Sequence, residues 1–135
     1  ISNPRICLER AFAAPLLRSY TRRNTSVEAY GNEYYFQNGL VIQAAGTTPY
    51  GPYVERISLG HTDCSKMNLE EYFELSRSVW TPESYDLFEN NCNNFSNYLA
   101  DFLVQKGIPS HILELPNIVR ESPAFRQLFG TRRNE

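Results

Sequence analysis

Three runs of β-forming residues separated by turn dipeptides constrain the fold of this chain more than any other feature. The runs are TSVEAY, EYYF and LVIQA, and the dipeptides GN and NG lie between them. Turn dipeptides between aromatic and β-branched runs are typical of β-hairpins. The sequence therefore predicts three antiparallel strands between Thr25 and Ala44, and the alternating stretch YVERISLG predicts a further strand.

Two stretches that follow the strands carry helical periodicity. In NLEEYFELSRSVW the apolar residues share one face, and we expect Asn68 to be the N-cap. A second helix is expected where Phe95 and Leu99 recur at helical spacing, with Gly107 and Pro109 ending it. Strands grouped before helices predict an α+β fold, an antiparallel sheet packed with helices.

Shorter elements are also expected. They are a helical turn within residues 11–19, a short strand in YDLF before the second helix, and a last short helix beginning near Ser122.

Composition and charge exclude several classes of protein. With 135 residues, the chain is long enough to bury a core, and no apolar run approaches the roughly 18 residues of a membrane helix. Residues 24–119 carry twelve acidic against four basic side chains, whereas the two ends are basic. This argues against nucleic acid as a partner, because binding phosphate requires a basic face.

The number of cysteines indicates a reducing compartment. Three cysteines cannot form a closed set of disulfides, so we expect the cytoplasm, with the nucleus as an additional location. The chain opens on Ile1 rather than methionine, so we expect a processed or partial chain.

The segment ENNCNNFSNYLADFL places Cys92 among asparagines at the expected start of the second helix. A helix N-terminus stabilises a thiolate, and its N–H groups can face an oxyanion. Asn91, Asn93 and Asn94 can cap the helix and support an oxyanion without adding negative charge. These residues predict an activated nucleophile. The alternative is a buried cysteine beside a capping turn.

Two parts of the sequence carry a resemblance to a known family. ENNCNNFSNYLADFLVQKGIPSHILELPN resembles the nucleophile segment of the PPPDE family of papain-like thiol peptidases, which includes deSUMOylating isopeptidases. Upstream, NTSVEAYGNEYYFQNGLVIQ resembles the family's HTSVVVYG hairpin, and GTTPYGPYVERISLGHT resembles the strand that follows.

The resemblance, over roughly residues 24–117, implies a permuted papain-like domain at 24–119. A basic segment at 1–23, in which the family's first strand is truncated or altered, precedes it. A C-terminal helix or tail at 120–135 follows.

The resemblance implies that Cys92 is the nucleophile and that Asn24 stands where the family has its histidine base. An asparagine cannot take a proton from a thiol. Three alternatives follow: a natural pseudo-enzyme, an active enzyme substituted at this position, or a different base, either His61 or His111.

The function implied by the resemblance is that of a thiol isopeptidase, which removes a ubiquitin-like modifier, SUMO or ubiquitin, from a modified protein. Thiol chemistry of this type needs no metal or organic cofactor. The charge and the apolar runs indicate no nucleic acid or membrane partner, and the resemblance allows a homodimer. One alternative is a non-catalytic binding module for a modifier or peptide. Another is a thioesterase that acts on S-acylated cysteines.

A zinc site is a further hypothesis. Its spacing matches no ordinary zinc-finger pattern, and its ligands would be Cys7, His61, Cys64 and Cys92.

Overall fold

An antiparallel sheet and two helices make up the part of the chain that the structure, a computed structural model, describes: residues 3–10, 23–49, 53, 55–87 and 89–108. The strands lie in the order β4-β3-β2-β1-β5. In chain order the elements are β1 Arg5–Arg10, β2 Arg23–Ala29, β3 Asn32–Phe36, β4 Leu40–Ala44, β5 Glu55–Ser58, α1 Lys66–Ser76, a 3₁₀ turn Pro82–Ser84 and α2 Cys92–Val104. The predicted α+β fold class is confirmed.

The three consecutive strands predicted from the turn dipeptides are confirmed as two hairpins. Val27 of β2 lies opposite Tyr34 of β3, which in turn lies opposite Ile42 of β4. The first turn is formed by Tyr30 and Gly31, with φ values of +52° and +80°. Two successive positive φ values are those of a type I′ turn, whose twist matches that of the strands. The strand predicted in YVERISLG is confirmed as β5.

A strand that the sequence analysis did not predict, β1, lies between β2 and β5 in the sheet. Ile6 is opposite Val27 on one side and Ile57 on the other. This strand lies where we expect the family's first strand to be truncated or altered, and it is six residues long and inside the sheet. Three apolar residues flanked by charges give too short a pattern to predict a strand, and the two partner strands supply the burial.

Helix α1 confirms the predicted helical face but begins earlier than expected. Its buried residues include Leu69 and Phe73, whereas its N-cap is Ser65. The expectation of Asn68 as the N-cap is wrong. The backbone N–H of Asn68 donates to the Ser65 hydroxyl over 3.1 Å, so Asn68 is the third residue of the helix.

Helix α2 ends before the residue predicted to terminate it. Val104 is the last helical residue, and Gln105, at φ +58°, is the left-handed C-cap. The expectation that Gly107 ends the helix is therefore wrong. Gly107 has another role, because a Cβ atom there would lie 2.1 Å from Asn97 Oδ1, so the Asn97 side chain would have to move.

The turn before α2 differs from the strand predicted in YDLF. Asp86 and Asn90 form an isolated bridge, and their backbone groups exchange two hydrogen bonds of 3.0 Å. This tight turn holds the chain immediately before Cys92. The helical elements predicted within 11–19 and near Ser122 lie outside the described residues.

Aromatic side chains join α2 to the sheet. The ring of Trp80 meets Phe36 and Phe95 edge-on, at centroid distances of 5.3 and 5.2 Å, and Phe95 also meets Phe73 at 5.8 Å. Such contacts add to the free energy of burial and fix ring orientation. The N-terminus of α2 is therefore held against the sheet. Within the described residues no helix has the length and apolar character needed to cross a bilayer.

Candidate active site

Cys92 is the first residue of α2, as the sequence predicts, and its side chain is fully buried. The residue before it, Asn91, has extended backbone angles and is the N-cap. The Asn91 side-chain oxygen accepts hydrogen bonds from the backbone N–H groups of Asn93 and Asn94, at 2.9 and 3.1 Å. Asn94 Oδ1 accepts from the backbone N–H of Asn91 at 2.9 Å, which completes a capping box.

The asparagines around Cys92 therefore have structural partners. Asn91 Nδ2 donates to the carbonyl of Leu87 over 2.7 Å, which ties the cap to the preceding turn. Asn90 Nδ2 donates to the carbonyl of Ser84 over 2.9 Å. These bonds fix the backbone on the N-terminal side of the thiol, so the position of Cys92 is set locally.

A second set of contacts ties this helix end to β2. Thr25 Oγ1 donates to Asn93 Oδ1 at 2.8 Å and lies 3.0 Å from Ser96 Oγ. Asn24, in the position of the expected base, precedes Thr25 in the strand and is 4% exposed. Asn24 and Cys92 each lie one residue before the two residues, Thr25 and Asn93, whose side chains bond β2 to α2.

The thiol of Cys92 points toward this contact. Its Sγ atom donates to Asn93 Oδ1 at 3.5 Å. This hydrogen bond uses the thiol hydrogen, whereas attack on a carbonyl requires the thiolate. A proton must therefore leave Cys92 before it reacts. The Asn24 amide has no basic nitrogen with which to accept that proton.

His61 is remote from the thiol. It is exposed, and its Nε2 lies 3.0 Å from Asp63 Oδ1. The next residue, Thr62, donates to the carbonyl of Leu103 at 2.5 Å, near the C-terminal end of α2. Eleven residues of helix separate Leu103 from Cys92, about 16 Å at 1.5 Å per residue. His61 is therefore not the missing base, and His111 lies outside the described residues.

The four residues of the zinc hypothesis are dispersed. Cys7 is in the sheet, Cys92 is at the start of α2, and Cys64 accompanies His61 near the far end of that helix. Across the ranges that the structure describes, no three His, Cys, Asp or Glu side chains lie together as a metal site would require. The structure therefore gives no support to this hypothesis.

The other two cysteines, Cys7 and Cys64, have thiols with a raised pKa. Burial, with a hydrogen bond from Cys7 Sγ to Glu28 Oε1 at 3.4 Å, raises the pKa of Cys7 from 9.0 to about 12. Burial also raises the pKa of Cys64. A raised pKa leaves both thiols protonated, so neither is a good nucleophile near neutral pH.

Thr25 and Ser96 are site residues that the sequence analysis missed. Ser96 is four residues after Cys92 on the same face of α2, so helical spacing could have placed it beside the thiol. Thr25 is 68 residues from Asn93 in sequence, and no local pattern connects them.

A buried cysteine on the first turn of a helix packed against an antiparallel sheet is the arrangement of the papain-like thiol peptidases. The family model "PPPDE putative peptidase domain" matches residues 24–131. The chain belongs to this PPPDE peptidase family.

Curated relatives agree with this assignment. The chain is 36% identical to Desumoylating isopeptidase 1 of Rattus norvegicus and of Homo sapiens over 102 residues, which are 74% of this chain and 61% of each relative. It is 37% identical to the protein of that name from Xenopus laevis over 107 residues, 78% of this chain and 63% of the relative. The chain thus spans about three fifths of the length of these relatives.

Proposed function

We propose that this chain is a deSUMOylating-isopeptidase-like domain that recognises a ubiquitin-like modifier and carries Cys92 as its nucleophile, with slow turnover because Asn24 replaces the base. The observation that carries the proposal is the capped N-terminus of α2, which starts at Cys92 and is bonded through Asn93 to the strand that holds Asn24. The names of the curated relatives support SUMO as the first modifier to test.

The reaction at this site is attack of the Cys92 sulfur on the carbonyl carbon of the modifier's C-terminal isopeptide bond. A carbon–sulfur bond forms and the carbon–nitrogen bond breaks, so the lysine amine leaves with one added proton. Water then hydrolyses the thioester and frees the thiol. No metal is needed for these steps.

A base at position 24 would serve this reaction twice. It would take the thiol proton before attack and return it to the amine as that group leaves. Asn24 can do neither, so both proton transfers must go through water. Loss of general acid–base help costs about 10²–10⁴-fold in rate. We therefore expect acyl transfer to Cys92 to be slow rather than absent.

The oxyanion of the tetrahedral intermediate would accept a hydrogen bond from the backbone N–H of Cys92. The Asn91 side chain accepts from the N–H groups of Asn93 and Asn94, the second and third residues of α2. The N–H of Cys92, the first residue of α2, belongs to the same residue as the sulfur. In this proposal Asn91, Asn93 and Asn94 support the oxyanion indirectly, because they fix the helix end that carries the donor.

A non-catalytic binding module is the second candidate. Two observations favour it: the buried asparagine in the base position and the thiol that donates into the protein, to Asn93. A binding module would retain affinity for the modifier without cleaving it.

Covalent capture separates the two candidates. SUMO and ubiquitin carrying a C-terminal electrophile are incubated with the parent chain, Asn24→His, Asn24→Gln and Cys92→Ala, and adducts are followed by intact mass. We expect Asn24→His to label the fastest, and Cys92→Ala not to label. Asn24→Gln is the matched control, since it changes size without adding a base, and should label like the parent.

Cleavage and affinity complete the test. The isopeptidase-like proposal expects Asn24→His to cleave a SUMO–lysine isopeptide substrate faster than the parent. If the parent and Asn24→His both bind SUMO in calorimetry but neither labels nor cleaves, the binding module is correct. If none of the variants binds or labels with either modifier, neither modifier is a ligand of this chain.

A further inference from the structure

A line of four buried side chains connects α2 to β2 and returns to the thiol. Ser96 Oγ lies 3.0 Å from Thr25 Oγ1, Thr25 Oγ1 donates to Asn93 Oδ1 at 2.8 Å, and Cys92 Sγ donates to the same oxygen at 3.5 Å. All four residues have zero exposure to solvent. Water therefore cannot replace these partners without opening the contact between strand and helix.

The direction of each hydrogen bond follows from the donors present. A hydroxyl has one hydrogen, and that of Thr25 goes to Asn93. Ser96 must then be the donor in its bond with Thr25. The amide oxygen of Asn93 receives a hydroxyl from β2 and the thiol from α2. Rotation of this amide would turn its NH2 group, which cannot accept, toward these two donors.

These four hydrogen-bonded side chains join the part of β2 that holds Asn24 to the part of α2 that holds Cys92. Thr25 directly follows Asn24 in β2, and Asn93 directly follows Cys92 in α2. The hydrogen bond between Thr25 and Asn93 therefore sets the separation of strand and helix one residue away from each member of the expected catalytic pair. Catalytic pairs lose activity when such a separation changes by as little as 1 Å.

We propose that Thr25 is a positioning residue, which acts with Ser96 and Asn93 to set where the side chain at position 24 stands relative to the Cys92 thiol. The proposal rests on the proposed function, because only that function makes positions 24 and 92 a catalytic pair. The positioning itself concerns two side chains of this chain, so it can be measured without any modifier.

A double-mutant cycle on thiol reactivity tests the proposal. The rate of alkylation of Cys92 by iodoacetamide is measured in the parent, Asn24→His, Thr25→Val and the Asn24→His/Thr25→Val double variant. Peptide mass spectrometry separates the cysteines, and Cys64 in the same sample is the internal reference. Each variant's melting temperature is also recorded.

Asn24→His is expected to speed alkylation of Cys92. Adding Thr25→Val to Asn24→His is expected to reduce that gain in rate about tenfold. Thr25→Ser, which keeps the hydroxyl, should preserve the gain, and the rate at Cys64 should stay constant in all variants. Valine has the shape of threonine without its hydroxyl, so the comparison isolates the hydrogen bond.

Two results would overturn the proposal. In the first, Thr25→Val lowers the melting temperature but leaves the full gain from Asn24→His, which would make Thr25 structural only. In the second, Asn24→His gives no gain even with Thr25 intact. If Thr25→Val does not fold, Ser96→Ala removes the hydroxyl that donates to Thr25. Loss of part of the gain in Ser96→Ala supports the proposal, and retention of all of it overturns it.

The SUMO probe separates this proposal from the proposed function. If the alkylation cycle shows coupling but no variant reacts with SUMO or ubiquitin probes, positioning stands and the modifier substrate fails. If the probes label Asn24→His and the rate of Cys92 alkylation does not depend on the Thr25 hydroxyl, the proposed function is supported and the positioning role of Thr25 is wrong.

Discussion

Asn91 and Asn94 cap each other at the start of α2. The Asn91 side-chain oxygen accepts from the backbone N–H of Asn94 at 3.1 Å, and Asn94 Oδ1 accepts from the backbone N–H of Asn91 at 2.9 Å. Each side chain thereby satisfies a buried or half-buried donor of the other residue's backbone. The helix begins at Cys92 because this reciprocal pair stops the chain from fraying there.

The first prediction concerns this cap. Asn91→Ala removes the acceptor for two N–H groups and the donor to Leu87, so it should lower the free energy of unfolding by about 1–2 kcal/mol. Asn91→Ser keeps a capping oxygen and should lose less. Urea denaturation of both variants is the measurement. Equal midpoints for Asn91→Ala and the parent would show that the cap does not stabilise the fold.

The second prediction concerns the histidine that the sequence left as a candidate base. His61 lies beside Thr62, whose hydroxyl bonds to the carbonyl of Leu103 near the far end of α2 from Cys92. His61→Ala should therefore leave the rate of Cys92 alkylation unchanged. His61→Gln is the control for size. A slower rate in both variants, with an unchanged melting temperature, would contradict the geometry.

Local signals explain which parts of the fold could be predicted. The hairpins follow from turn dipeptides, and the start of α2 follows from a cluster of capping residues, since both depend on neighbours in sequence. Strand β1 could not be predicted, because Ile6 gains its burial from Val27 and Ile57, which are distant in the chain. The left-handed conformation of Gln105 at the C-cap could not be predicted either, because glutamine is not typical of that conformation.

The same distinction applies to the candidate site. Cys92 and its asparagines are adjacent in sequence and were found together. Thr25 and Asn93 meet across 68 residues, and only the packing of β2 on α2 brings them into contact. The sequence could thus identify the thiol, whereas the hydrogen bonds that orient it required the structure.

The third prediction concerns Gly107. A Cβ atom at this position would lie 2.1 Å from Asn97 Oδ1, and that oxygen also accepts the backbone N–H of Ile108 at 3.0 Å. Gly107→Ala must displace Asn97 and break this bond, at a cost of about 1–3 kcal/mol.

The double variant Asn97→Ala/Gly107→Ala tests this cause. Asn97→Ala alone loses the bond to Ile108 but makes room for a Cβ atom, so adding Gly107→Ala should then cost little. Thermal unfolding of the two single variants and the double variant measures the coupling. Additive losses would mean that the side chain of Asn97 is not what excludes alanine.

The fourth prediction concerns stability at alkaline pH. The folded protein keeps the Cys7 proton up to about pH 12, whereas the ordinary pKa of 9.0 applies to the unfolded chain. Between these values the folded state binds more protons, so rising pH favours unfolding. The contribution of Cys7 is fully present below about pH 9 and is lost as the pH rises toward 12.

Cys7→Ser tests this dependence, because serine does not titrate in this range. The parent should lose stability from about pH 8.5 to 10 with a slope of up to roughly 1.4 kcal/mol per pH unit from this thiol, and Cys7→Ser should show a shallower slope. Burial also raises the pKa of Tyr53 and Tyr72, whose ordinary value is 10.0, so their contribution begins at higher pH. Urea unfolding at a series of pH values measures the slope. A parent and Cys7→Ser with the same slope would show that Cys7 titrates alike in the folded and unfolded chains.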